Sequence, residues 1–320
     1  MRPQLFACAA LIFSFSANLQ AAPSVAVDIA PLHSLVSQVM EDVAKPKLII
    51  PAEASPHQYT LRPSEAKALA DADVVFWVSE DLTPWLEKAL ENLAGSAEKV
   101  EMLSLDRTTT YAFREGATFE SHAKHDDEED KDEHEDKEHD DHEEEHHSHE
   151  GVDPHAWLDP ENAKVWVKVI SETLSKQDPD NAATYSQNAK TAVASLDTLI
   201  ASTRTQIDAL GQPKFIVFHD AYQYFEKRFD IPAAGSISLS DAEDPSPARI
   251  KKIRETIQKL GVSCVFTEPQ FNPGMVKNVF ADTNVSTIGI MDPLGANIAI
   301  GSGHYPALIQ AMVNSVSECK

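Results

Sequence analysis

The chain has 320 residues, with 27 Lys and Arg against 51 Asp and Glu and a formal net charge of −24. An excess of acid on that scale excludes a nucleic-acid partner, because proteins that bind phosphate chains carry a basic footprint. With 42% hydrophobic residues the chain is long and apolar enough to bury the core of two ordinary domains.

Residues 1–21 read as a signal peptide. Arg2 supplies a short basic start, Leu5 to Phe15 form an apolar run too short to span a bilayer, and Ala21 and Ala22 offer a cleavage site. Cleavage after Ala21 avoids placing Pro23 at the first mature position. The stretch LFAC, ending at Cys8, has a superficial lipobox look, but a lipidated Cys follows the apolar run, whereas Cys8 precedes most of it. No other segment has the length and apolarity to cross a membrane, so the mature chain is expected to be exported without membrane insertion. Loss of the leader removes Cys8 and leaves Cys264 and Cys319. In an oxidising compartment one disulfide is the simplest account, and two isolated thiols are the alternative.

From residue 22 onward short apolar runs alternate with helical patterns: SVAVDIA, a helix over Leu32 to Val43, KLII, a helix from Pro63, DVVFWVS, a helix from Thr83, and KVEML. Such alternation implies parallel βαβ units. Residues 120–150 interrupt it with 17 acids, 3 Lys and 8 of the chain's 13 His, and otherwise only Ser121, Ala123 and Ser148. A segment of that composition cannot offset its ordering entropy by burying apolar surface, so it is expected to be a disordered loop when metal-free. A helix follows over Pro160 to Leu174. Asp178 then looks like an N-cap with Pro179 at the first helical position, and the pattern continues unbroken to Leu210, where Gly211 and Pro213 stop it. Some 31 residues of helix would span roughly 46 Å, more than one domain needs. Beyond it come KFIVF, a helix near Ala221 to Phe229, an apolar stretch over Ile231 to Leu239, a helix from Pro247 to Leu260, SCVFTE, a helix from Pro273, VSTIGI and a terminal helix from about Tyr305. The expected architecture is therefore two parallel-sheet α/β lobes, residues 22–177 and 211–320, joined by one long linker helix at 178–210.

Five histidines lie outside the insert: His33, His57, His155, His219 and His304. Three of them fall in loops or just past strand ends, where a parallel sheet presents ligands. His57 lies in PAEASPHQYTLRPSE, His155 in VDPHAWLDP, and His219 ends KFIVFH. Imidazole suits borderline ions such as zinc, and three imidazoles with one oxygen make a tetrahedral set. A zinc hydrolase would add a general base beside an open coordination position, and no HExxH is present. A metal buffer or adhesin, in which the insert is the functional part, is the other alternative.

The motifs HQYTLRPSE, DPHAWLDP, FHDAYQYF, FTEPQF and DPLG, in this order, resemble the metal-receptor class of solute-binding proteins that serve ABC importers. The likeness is strongest to the periplasmic zinc-uptake member and covers essentially the whole mature chain. It implies two lobes around a rigid helix, a periplasmic monomer, and a zinc ion held in the cleft and passed to an inner-membrane ABC permease. Carried over by motif, His57, His155 and His219 become imidazole ligands, and Cys264 with Cys319 matches the disulfide of zinc members. Several zinc members place an acid just before the first histidine, where this chain has Pro56. Asp292 in MDPLG, at the position where related members supply a carboxylate, is then the expected fourth ligand, with water, Glu53 or Glu268 as alternates. His33 and His304 are expected to be structural. In the insert, His122, His125, His134, His139, His142, His146, His147 and His149 are expected to bind metal weakly, for capture or for sensing.

Overall fold

In a computed structural model of the chain, residues 21–114, 118–119, 151–238, 246–270, 280, 283 and 285–319 are described. The first twenty residues of the expected leader, the insert at 120–150 and the start of the helix expected from Pro273 lie outside them. The N-terminal half supplies β1 (Val25–Val27), α1 (Ala30–Val39), β2 (Lys47–Leu48), α2 (Pro63–Ala70), β3 (Val74–Trp77), α3 (Pro84–Leu93) and β4 (Glu98–Glu101). The strands form one parallel sheet in the order β2-β1-β3-β4. β1 and β3 are buried along their whole length, which is why they read as unbroken apolar runs.

A 3-10 turn (Ala156–Leu158), α4 (Pro160–Gln177), a second 3-10 turn (Pro179–Asn181) and α5 (Ala182–Leu210) then lead to the second half. There β5 (Phe215–Ile216), α6 (Gln223–Phe229), α7 (Pro247–Leu260), β6 (Cys264–Thr267), β7 (Thr287–Ile290) and α8 (His304–Ser317) follow. Their strands form a parallel sheet in the order β5-β6-β7. Proline opens α2, α3, α4 and α7, a position where its missing N–H costs nothing. Asp159 caps α4 by accepting from the Glu161 amide, and Ser246 caps α7 by accepting from that of Arg249.

Two boundaries differ from expectation, and a third is shared by two helices. α1 stops at Val39, not Val43, and the chain turns through Asp42 at a φ of 66°. Asp178 both closes α4, which runs on to Gln177, and stands as the N-cap of the 3-10 turn, opened by Pro179, that leads directly into α5. Its Oδ2 accepts from Asn181 and from the Tyr185 hydroxyl, stitching the turn between α4 and α5. Over the described part of the stretch expected at Ile231 to Leu239, residues 231–238, the chain makes single bridges, such as Val217 with Ser236, in place of a regular strand.

Helix α5 has 29 residues, about 44 Å at 1.5 Å per residue. It packs on α4 and α1 from the first half and on α6 and α8 from the second. One buried cluster accordingly runs through both halves, from Val27 and Phe76 by way of Trp157, Trp166 and Tyr185 to Tyr222, Phe266 and Tyr305. A second, with Ile216, Phe218, Ile253, Ile257 and Val265, lies between the C-terminal sheet and α7. Polar ties cross the same boundary: Tyr305 donates to the Trp157 carbonyl at 2.7 Å, and Trp157 Nε1 to the Pro293 carbonyl at 2.8 Å. Cys264 and Cys319 form a disulfide, Cα atoms 5.5 Å apart, fastening the end of α8 to the start of β6. Among the described residues no helix is long and apolar enough to cross a membrane.

Candidate metal centre

The carboxyl ends of the strands face the space between the two sheets, where an open parallel sheet presents its ligands. His57 comes from the loop between β2 and α2, anchored where Trp85 Nε1 donates to the Pro56 carbonyl at 2.8 Å. His155 opens the 3-10 turn before α4. His219 follows β5 by three residues. One ligand nitrogen from each of these three rings lies within 4.8 Å of the others. The His155 and His219 Nε2 atoms are 3.4 Å apart.

The other nitrogens explain this arrangement. Asp153 Oδ1 accepts from both the backbone amide and Nδ1 of His155, at 3.0 and 2.8 Å. Glu268 Oε1 accepts from His219 Nδ1 at 2.7 Å. A carboxylate can only accept, so each Nδ1 carries the proton and each Nε2 presents a lone pair. Two lone pairs 3.4 Å apart repel unless a cation lies between them. Bonds of about 2.0–2.1 Å from zinc to imidazole nitrogen, at a tetrahedral angle, set neighbouring nitrogens about 3.4 Å apart. The rings border a cavity of about 10 Å³, with Glu268, Gln270, Trp157 and Leu294 completing its wall. That is room for a single water-sized sphere.

Behind the rings the carboxylates are themselves held. Gln223 Nε2 donates to Asp153 Oδ2 at 3.1 Å, and the Tyr222 hydroxyl lies 3.1 Å from Glu268 Oε1. Burial pushes the Asp153 carboxyl up to about 6, against the hydrogen bonds from His155 and Gln223. Burial also raises Glu268, and its contacts with His219 oppose the rise. Asp220, next to His219, is raised to about 6 by burial. Arg114 opposes that shift by a paired contact to Asp220 and another to Glu226, each with two guanidinium nitrogens. Its place, just before the insert, fastens the N-terminal half to α6.

The structure brings together His57, His155 and His219 but not Asp292. Asp292 Oδ1 accepts from the Leu294 amide at 2.9 Å and from Gln270 Nε2 at 3.1 Å, and its Oδ2 from the Ala296 amide at 2.6 Å. Both oxygens thus fold the DPLG turn. Glu53 is exposed and outside the cluster, whereas Glu268 lines the cavity and orients His219. His33 and His304 lie outside the cluster, with Nε2 at 3.2 Å from the Pro46 carbonyl and 2.7 Å from the Leu294 carbonyl. The eight insert histidines lie outside the described residues. Asp153, Tyr222, Gln223, Gln270 and Arg114 were not singled out from sequence. Asp153 alone left a sequence signal, an Asp two residues before a His in a turn.

Among known proteins the chain is 42% identical over 326 residues to the high-affinity zinc uptake system protein ZnuA of Brucella abortus (strain 2308), covering 98% of this chain and 97% of that one. It is 39% identical to the protein of the same name from Paracoccus denitrificans (strain Pd 1222), over 93% of this chain and 91% of the relative. A solved ZnuA deletion mutant with zinc bound shares the fold, with a TM-score of 0.73 at 21% identity over 93% of this chain and 98% of that one. The family described as zinc-uptake complex component A, periplasmic, matches residues 25–319, and the chain belongs to it.

Proposed function

We propose that this protein is a periplasmic receptor that binds Zn(II) between its two lobes through His57, His155 and His219 and delivers it to an inner-membrane ABC permease. The observation that carries the reading is the 3.4 Å approach of two imidazole nitrogens, each ring backed by a carboxylate, at a cavity sized for one ion. The names of the curated relatives support zinc as the cargo. Three imidazoles favour zinc over manganese or calcium, which prefer more oxygen donors. In this reading residues 1–21 direct export, 22–177 and 211–320 are the lobes, 178–210 the linker helix, and the eight histidines of 120–150 gather zinc weakly near the cleft. The core act is binding and release, not catalysis.

Zinc titration against a competing chelator tests the site. Alanine at His57, His155 and His219 together abolishes the tight event and growth under zinc limitation, whereas deletion of residues 122–149 leaves the tight event and removes only weak ones. Tight binding that survives the triple substitution overturns the reading. Imidazole ordinarily titrates near pH 6.5, and protons compete with metal for it, so the affinity drops between pH 7.5 and 5.5.

A further inference from the structure

Gln270 stands three residues past β6 and two past Glu268. Its Nε2 donates to Asp292 Oδ1 at 3.1 Å and to the Ala52 carbonyl at 3.3 Å. Neither a carboxylate nor a carbonyl can donate, so these two partners fix which end of the amide is nitrogen. The remaining atom, Oε1, is buried and meets no donor among the described residues. Gln270 also lines the small cavity shared by the three histidines. A buried amide oxygen without a donor carries its full desolvation penalty. Its neighbours at the cavity, the Nε2 atoms of His155 and His219 and the carboxylate of Glu268, present lone pairs as well. A cation held among them answers the Gln270 oxygen directly.

We infer that Gln270 Oε1 is the oxygen ligand of the bound zinc ion, with Asp292 acting through it. The inference rests on the zinc-receptor reading and deepens it. Asp292, the expected fourth ligand, stands one hydrogen bond behind the amide. By accepting from Nε2 it draws the amide dipole toward the metal, much as Asp153 and Glu268 do for the rings of His155 and His219. The cavity has space for one sphere only, which favours direct contact over a bridging water. The ligand set is then neutral, three imidazoles and an amide, with its negative charge held in the layer behind. Because Nε2 also grips Ala52, on the loop that carries His57, one side chain joins the metal, the C-terminal wall and the N-terminal loop.

The test uses the mature full-length chain loaded with zinc, and with Co(II) as a spectroscopic stand-in. Gln270→Met, close in shape but without the amide, lowers zinc affinity by about tenfold to a hundredfold. It also changes the visible bands of the Co(II) protein and removes one oxygen from the first shell in zinc-edge X-ray absorption. Gln270→Glu keeps the oxygen and retains a four-coordinate Co(II) spectrum. A role confined to the hydrogen bond with Ala52 would lower the melting temperature of the metal-free protein and leave the Co(II) bands unchanged, and that result overturns the inference. A zinc-loaded crystal structure of the native chain decides the point without any variant. Gln270 Oε1 lies about 2.0–2.2 Å from the ion if it is a ligand, and a separation beyond hydrogen-bond range overturns the inference. If the native chain shows no imidazole ligation of zinc, the receptor reading falls and takes this inference with it; an intact three-histidine site with Gln270 remote overturns this inference alone.

Discussion

Two groups of histidines are buried in this protein, and their ring nitrogens are held in different ways. His155 and His219 are 4% and 3% exposed, His33 and His304 7% and 0%, so burial does not separate them. Their partners do. His33 and His304 each turn Nε2 to a backbone carbonyl, which can only accept, so that nitrogen is committed as a donor. His155 and His219 each give Nδ1 to a carboxylate and turn Nε2 toward the other's. What marks the cleft pair is that one nitrogen is held by a carboxylate while the other is turned toward a neighbouring imidazole at the cavity.

The sharpest way to break this comparison is to remove a ring. His155→Ala or His219→Ala lowers zinc affinity by more than the tenfold to hundredfold that loss of an outer partner costs, as read by chelator competition; an unchanged affinity would remove the distinction altogether. Next in size, Asp153→Asn and Glu268→Gln keep the shape but weaken the grip on Nδ1. Each lowers affinity by about tenfold to a hundredfold, with the metal-free fold retained by circular dichroism. His304→Ala reverses the pattern. It leaves zinc affinity unchanged and destabilises the fold by about 1–3 kcal/mol, because the Leu294 carbonyl loses its donor; urea titration measures the cost.

Asp28 sharpens the contrast on the carboxylate side. Like Glu268 it is buried just past the carboxyl end of a strand, but its oxygens accept from the Ile29 and Val78 amides, both at 2.7 Å. Burial pushes it up to about 7, against the pull of those amides. A raised carboxyl favours the protonated folded state. Its contribution to stability is complete at pH values below the ordinary carboxyl range near 3.8 and is lost as pH rises through about 7. Urea midpoints of the metal-free protein should therefore fall across that window, and the fall should shrink in Asp28→Asn. Zinc affinity should not follow the substitution.

The fold was legible because β1, β3, β5 and β6 are buried along their length and four helices open on proline, so apolar runs and breakers alternate visibly. Local turns escaped. Nothing in QVMEDVAK foretells that α1 ends at Val39 and that Asp42 just beyond it adopts a positive φ, and Asp178, read as the start of one helix, also closes the one before it. The three cleft histidines were recognisable from loop position and motif. Asp292 shows where such reading stops: its chemistry suits a ligand, and only the folded turn reveals that the amides of Leu294 and Ala296 and the side chain of Gln270 already donate to it. Gln270 carried no signal at all, since a neutral amide in FTEPQF looks like any surface glutamine until its partners fix which atom is left without a donor.

The bridge between Cys264 and Cys319, 55 positions apart in sequence, also encloses Glu268, Gln270, Asp292 and Leu294. The C-terminal wall of the metal cavity thus lies inside a covalent ring. By the chain-entropy model, closing a loop of that size favours folding by about 4 kcal/mol, largely through the unfolded chain. The order of that wall is then written into the chain's connectivity before any ion arrives, while the N-terminal loop bearing His57 has no such tether. Oxidation of one cysteine pair would be the step that readies half of the site, and a reduced chain would have to assemble that half from non-covalent contacts alone.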